Sequence, residues 1–84
     1  MKNIKIEEVG DINSSYPYME VFSQENPNPF LEVSVSSNKE LQFKFYASKS
    51  DFNLDVRELE LILSTAKEFL PRVLKNEEDF LNFK

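Results

Sequence analysis

The sequence offers few side chains that could carry catalysis. It contains neither histidine nor cysteine, the side chains that most readily exchange protons or attack a substrate near neutral pH. Acid–base chemistry would therefore depend on carboxylates, lysine or tyrosine. Paired carboxylates can cleave glycosidic bonds, but they need a deep cleft, and 84 residues leave little room for one. We therefore predict that the protein is not an enzyme.

One acidic segment has part of the spacing of a calcium-binding loop. Asp51, Asn53 and Asp55 match the first three ligand positions of such a loop. The sixth position needs glycine and is Val56, and the twelfth needs a bidentate glutamate and is Ile62. Asp55 is better explained as the cap of the following helix. We therefore expect no metal site here.

Cofactor binding lacks a motif as well. The only glycine is Gly10, so the glycine-rich loops that hold phosphates or dinucleotides are missing. Tight turns with positive φ must then come mostly from asparagine and aspartate. The acids at 77–79 would point in different directions on a helix, which disfavours a cation site. We expect no cofactor.

The charge pattern disfavours nucleic acid and membranes as partners. The net charge of the chain is −5, whereas proteins that bind nucleic acid or anionic membranes usually present a basic surface. Three lysines nonetheless cluster near Tyr46: Lys39, Lys44 and Lys49. Glu20 and Glu32 would share their face and repel phosphate. Because of the lysine cluster, a single-stranded nucleic-acid or anionic-ligand binder is an alternative function, but the two glutamates make it a minor one.

Alternating apolar and polar residues predict four strands, over 3–9, 18–23, 30–36 and 41–47. Antiparallel pairing of consecutive strands is expected, because proline-rich or polar loops connect them.

The odd–even alternation of apolar and polar residues, called parity below, fixes the register of the last hairpin. A three-residue turn over 37–39 puts Val35 opposite Leu41 and keeps both apolar rows on one face. A slip by one residue would invert one row. The same register puts Glu32 opposite Lys44 on the other face, as a favourable cross-strand charge pair.

Beyond the strands the apolar period becomes helical and predicts a helix over 56–75. Its start is well marked. Asp55 and Glu58 have the spacing of a capping box, and Leu54 and Leu59 that of a hydrophobic staple.

Two features predict an irregular second half of this helix. Pro71 cannot donate to the carbonyl of Lys67 and should kink the helix. Asn76 and the acids after it resemble a fresh helix start. A short terminal helix is therefore predicted over 77–83.

The expected architecture is a single α+β domain over 1–84. It consists of a four-stranded antiparallel β-meander followed by a long C-terminal helix packed on one sheet face. The row Leu41, Phe43 and Phe45 is expected to lie against the helix. The other sheet face is then partly open to solvent.

More large apolar side chains occur than one helix-on-sheet core can hold. The surplus comprises Phe22, Tyr46, Phe52, Leu61, Phe80 and Phe83. A contiguous exposed patch would mark an interface, whereas a second small core could instead hold Phe80 and Phe83. The candidate interaction surface comprises Tyr18, Glu20, Phe22, Glu32, Lys44, Tyr46 and Leu61.

These observations favour a non-catalytic protein-binding domain. It would be a small acidic inhibitor, an immunity-like protein or an accessory subunit, because acidic inhibitors can occlude basic active sites with steered association. A self-associating structural protein is the alternative, as a homodimer through the open sheet face or through helices at Leu61.

The expected location is the cytoplasm. Residues 1–8 become acidic before any apolar stretch forms, which disfavours a signal peptide. No apolar run is long enough to span a bilayer.

Overall fold

The fold, seen in a computed structural model that describes residues 4–11, 13–47 and 53–82, is a sheet followed by a helix. The elements are β1 (Ile4–Val9), β2 (Tyr18–Ser23), β3 (Pro29–Val35), β4 (Leu41–Phe45) and α1 (Val56–Asn82). The strands pair antiparallel in the order β1-β2-β3-β4. The α+β class, the four-stranded meander and the long C-terminal helix are therefore confirmed.

The core lies between one face of the sheet and one stripe of α1. Strand alternation places the buried sheet residues on a single face, and their helical counterparts recur at three- and four-residue spacing. The buried cluster comprises Ile4, Met19, Val21, Leu31, Val33, Ile62, Ala66, Phe69 and Val73. Burying each large apolar side chain stabilises the fold by roughly 1.5–3 kcal/mol, so this layer is the main source of stability.

The β3–β4 hairpin has the register that parity predicts. Val35 lies opposite Leu41 and Glu32 lies opposite Lys44. The turn is closed by the Lys39 N–H, which donates to the Ser36 carbonyl at 2.9 Å. Lys39 has a φ of 67° and is the only non-glycine residue with positive φ in the described ranges. The expectation that asparagine or aspartate would supply such a conformation is wrong here.

Replacing Lys39 with glycine should stabilise the protein. A residue with a Cβ is strained in the left-handed region, so we expect Lys39→Gly to raise the free energy of unfolding by about 0.5–1 kcal/mol. Urea denaturation measures this change. Asn38→Gly is the matched control and should lower stability, because Asn38 has no such strain. Equal effects of the two substitutions would contradict the assignment.

The start of α1 is the capping box that the spacing predicts. The Glu58 N–H donates to Asp55 Oδ1 at 2.8 Å, and the Asp55 N–H donates to Glu58 Oε1 at 3.0 Å. Glu58 is buried because its carboxylate accepts from the backbone of Asp55. Leu54 packs against the core, while its staple contact with Leu59 stays a prediction.

Removing the cap should cost about 1 kcal/mol of unfolding free energy. Asp55→Ala leaves the Glu58 N–H without its side-chain acceptor, whereas Asp55→Asn keeps an acceptor oxygen. Thermal and urea denaturation should therefore rank the wild type and Asp55→Asn above Asp55→Ala. Wild-type stability in Asp55→Ala would show that the cap contributes little.

The second half of α1 is more regular than the sequence indicates. The helix is continuous from Val56 to Asn82, so the predicted separate helix over 77–83 is wrong. Extending a formed helix is easier than nucleating a new one, and Lys75 pairs with Asp79 one turn later, at 3.3 Å. A bend at Pro71 stays a prediction.

Two polar contacts connect α1 to β1 and to the loop that follows β1. Arg72 donates to both carboxylate oxygens of Glu8 on β1, and the Tyr16 hydroxyl donates to Glu77 Oε1 at 3.1 Å. The hydrogen bond from Arg72 lowers the pKa of Glu8. This contact therefore stabilises the fold above the ordinary glutamate pKa, and the contribution is lost as the pH falls and Glu8 is protonated.

The helix leaves β4 only partly covered. Phe43 and Phe45 point to the helix side, yet 37% and 60% of their surfaces are exposed. The expectation that the whole β4 row would be buried is therefore wrong for these two residues. Adjacent strands lie about 4.8 Å apart and a helix is only about 10–12 Å wide, so one helix cannot cover four strands.

No helix in the described ranges is long and apolar enough to cross a bilayer.

Candidate functional site

The sheet face opposite α1 carries an ordered row of charged residues. Consecutive strand pairings place Glu7 beside Glu20, Glu20 beside Glu32, and Glu32 beside Lys44. We call the three glutamates, Glu7, Glu20 and Glu32, the acidic row; Lys44 lies at its end. Like charges directly opposite each other destabilise a sheet, so this arrangement is unfavourable for the isolated fold.

The outer members of the acidic row have charge partners. Lys5 Nζ lies 3.3 Å from Glu7, and Lys44 Nζ lies 3.8 Å from Glu32. Glu20, between them, has no hydrogen-bond or salt-bridge partner among the described residues. The centre of this face therefore holds a carboxylate whose charge is not compensated by an ion pair.

Tyrosines flank the acidic row. The Tyr46 hydroxyl donates to Glu32 Oε1 at 2.8 Å, and Lys44 Nζ lies 5.4 Å from the centre of its ring. The hydrogen bond to Glu32, together with partial burial, raises the pKa of Tyr46 to about 12. Tyr46 is therefore neutral at physiological pH and acts as a donor, not as a base.

The pKa of Tyr18 is also raised in this environment. Burial raises the pKa of its hydroxyl, and the nearby carboxylates of Glu20, Asp11 and Glu32 raise it further. Both tyrosines are thus neutral aromatic groups in a negative environment.

The negative surface continues into a depression at one end of the sheet. This depression has a volume of about 560 Å³, and its lining includes Asp11, Tyr16, Tyr18, Glu32 and Glu77. Carboxylates and hydroxyl groups suit an ammonium or guanidinium group. In the described ranges, no group of three acidic side chains is arranged to hold a metal ion.

The titration of Tyr46 tests the geometry of this face. Tyrosinate absorbance should show a group with a midpoint near pH 12 that disappears in Tyr46→Phe. Glu32→Gln should move that midpoint down toward 10, the ordinary tyrosine value. A midpoint near 10 in the wild type would contradict the contact with Glu32.

The same shift implies a pH dependence of stability. Because the pKa of Tyr46 is higher in the folded protein, its contribution is complete below pH 10. The contribution is lost as the pH rises toward 12.

The structure brings together most residues of the candidate interaction surface. The strand pairings, and for Tyr46 its contacts with Glu32 and Lys44, place six of them on the face opposite α1: Tyr18, Glu20, Phe22, Glu32, Lys44 and Tyr46. Leu61 is 40% exposed but lies on α1, on the other side of the sheet. Lys5 and Glu7 also lie on this face. The sequence does not predict this, because the β1–β2 register cannot be derived from the long loop over 10–17.

Phe22 differs from the expectation. Only 7% of its surface is exposed, so its assignment to the surplus of exposed apolar residues is wrong. Its ring lies 4.8 Å from Lys5 Nζ, and β2 has a register irregularity between Val21 and Phe22. Phe52 and Phe83 lie outside the described residues, as does the side chain of Phe80.

The described lysines near the β3–β4 hairpin, Lys39 and Lys44, do not form a basic surface on this face. Lys44 pairs with Glu32, Lys39 lies in the turn, and Lys49 lies outside the described residues. Phosphate would also meet the carboxylates of the acidic row. The electrostatics of this face therefore favour a cationic partner over nucleic acid.

Comparisons of the chain with protein-family models, curated proteins and solved structures found no match.

Proposed function

We propose that this chain is a non-catalytic protein-binding domain that binds a basic surface of another protein through the open face of its sheet. The observation that carries this proposal is the position of Glu20 at the centre of the acidic row. A cationic side chain placed there would relieve the repulsion between neighbouring glutamates. Binding would thus turn an unfavourable feature of the free protein into a favourable contact.

The surrounding side chains suit this role. Tyr18 and Tyr46 are aromatic groups with few rotatable bonds, and such residues often dominate binding energy at interfaces. The hydroxyl of Tyr46 is already positioned by Glu32, so ordering it on binding costs little entropy. The acidic depression beside Tyr18 would accept one lysine or arginine side chain from the partner.

The net charge of −5 would accelerate encounter with a basic partner by electrostatic steering. A small acidic inhibitor, an immunity-like protein or an accessory subunit all match this behaviour. The cytoplasm is the proposed compartment, because a chain without cysteine suits a reducing environment.

Charge reversal on the open face tests the proposal. Affinity capture from the source cells, read out by mass spectrometry, compares three tagged proteins: the wild type, Glu20→Lys and Glu60→Lys. Both variants change the net charge equally, but Glu60 is exposed on α1. A basic partner should be captured by the wild type and by Glu60→Lys and be lost from Glu20→Lys.

The purified complex then gives the mechanism. Glu20→Lys should weaken binding by about tenfold or more, mainly through faster dissociation because a central charge contact is lost, and added salt should weaken wild-type binding. Equal capture by Glu20→Lys and Glu60→Lys, or affinity that is independent of salt, would contradict binding through this face.

A further inference from the structure

The β4 edge of the sheet presents backbone groups that β3 does not use. The Glu40 carbonyl accepts from the Ser36 N–H at 2.8 Å, and the Tyr46 N–H donates to the Phe30 carbonyl at 3.0 Å. Hydrogen-bonded pairs alternate along an antiparallel ladder. The even-numbered residues of β4 therefore bond to β3, and the N–H and C=O groups of Leu41, Phe43 and Phe45 point outward.

The two edges of the sheet differ in their protection. Charged side chains line β1, where Lys5 and Glu7 lie on one face and Glu8 on the other. Such charges discourage pairing with another strand. On β4, Lys44 is the one charged residue, and the exposed rings of Phe43 and Phe45 lie beside the outward backbone groups.

The helix extends the apolar surface next to β4. Arg72 contacts Glu8 on β1, so its flank of α1 faces β1. Successive helical residues are rotated by about 100° around the axis, which places Leu59 and Leu63 on the opposite flank. Both leucines are exposed. The exposed leucines of this flank and the exposed rings of β4 therefore lie on the same side of the fold.

We propose that this edge pairs with the β4 edge of a second copy of the chain. An antiparallel pair centred on Phe43 would place Phe43 opposite Phe43 and Leu41 opposite Phe45 of the second copy. All outward N–H and C=O groups of these residues would then be paired. The two β4 strands fit together because Leu41 and Phe45 are spaced symmetrically about Phe43, so each apolar side chain lies opposite another.

The charges favour this register over a neighbouring one. Centring on Phe43 puts Lys44 opposite Gln42 of the second copy. Centring on Lys44 would instead place two lysines directly opposite each other, which is unfavourable. The register centred on Phe43 also leaves the acidic row exposed, so self-association and the proposed partner binding use different surfaces.

The dimer should be weak, and salt should change its affinity in the direction opposite to that of the proposed partner binding. One strand pair with its flanking side chains is near the lower limit for specific interfaces, roughly 1,000 Å² in total, so we expect a micromolar dissociation constant. Each copy carries a charge of −5, so screening by salt should strengthen the dimer. Binding of a basic partner to the acidic row should weaken under the same change.

Opposite charges at the symmetry axis test the register. Sedimentation equilibrium should show the wild type dimerising at micromolar concentration, with Phe43→Lys and Phe43→Glu each weakened by about tenfold or more, because like charges meet at the axis. An equimolar mixture of the two variants should form a mixed dimer. Leu61→Lys, a comparable substitution on exposed α1, should dimerise like the wild type.

Several results would overturn the proposal. A wild type that stays monomeric at high micromolar concentration excludes the dimer. Undiminished dimerisation of Phe43→Lys, loss of dimerisation in Leu61→Lys, or failure of the mixture to associate excludes this interface. If circular dichroism shows that the Phe43 variants do not fold, Phe45→Lys at the more exposed neighbour replaces them and should likewise dimerise about tenfold more weakly than the wild type.

Discussion

The width of a single helix is the constraint on which the rest of this structure depends. Four strands and one helix must form a core, and the helix covers only the part of the sheet nearest Ile62, Ala66, Phe69 and Val73. The core is therefore complete over β1, β2 and β3 and incomplete over β4. The exposed rings of Phe43 and Phe45 follow from this geometry and not from irregular packing.

The same constraint leaves the face opposite α1 without a covering helix among the described residues. That face holds charged residues because they can remain solvated there, but their order is not the one that would best stabilise the sheet. Alternating charges between strands would be more favourable than three glutamates in succession. This departure from the stable arrangement motivates the proposed role in recognition, since functional surfaces are where such departures are expected.

Features determined by local sequence could be predicted, and features determined by the extent of packing could not. The β3–β4 register follows from parity and a short turn, and the start of α1 follows from Asp55 and Glu58. The end of the helix differs from the prediction, because the helix-start signal of Asn76 and the acids after it cannot compete with continuation of a formed helix.

The candidate site was predictable to a similar extent. Tyr18, Glu20, Glu32, Lys44 and Tyr46 share a face because alternation within each strand fixes their direction. The contribution of Glu7 depends on how β1 aligns with β2, which a long loop does not specify. The exposure of Phe43 and the burial of Phe22 depend on which neighbours cover them, and no local pattern contains that information.

The sequential order of the strands also shapes how the chain folds. Each strand pairs only with its neighbour along the chain, so the sheet can grow by closing one connecting loop at a time, without the entropic cost of joining distant parts of the chain. The contact of Glu8 with Arg72, which are 64 positions apart, belongs to a different stage. It forms only when α1 docks back onto the first strand, so the docked helix is the element that joins the two ends of the described chain.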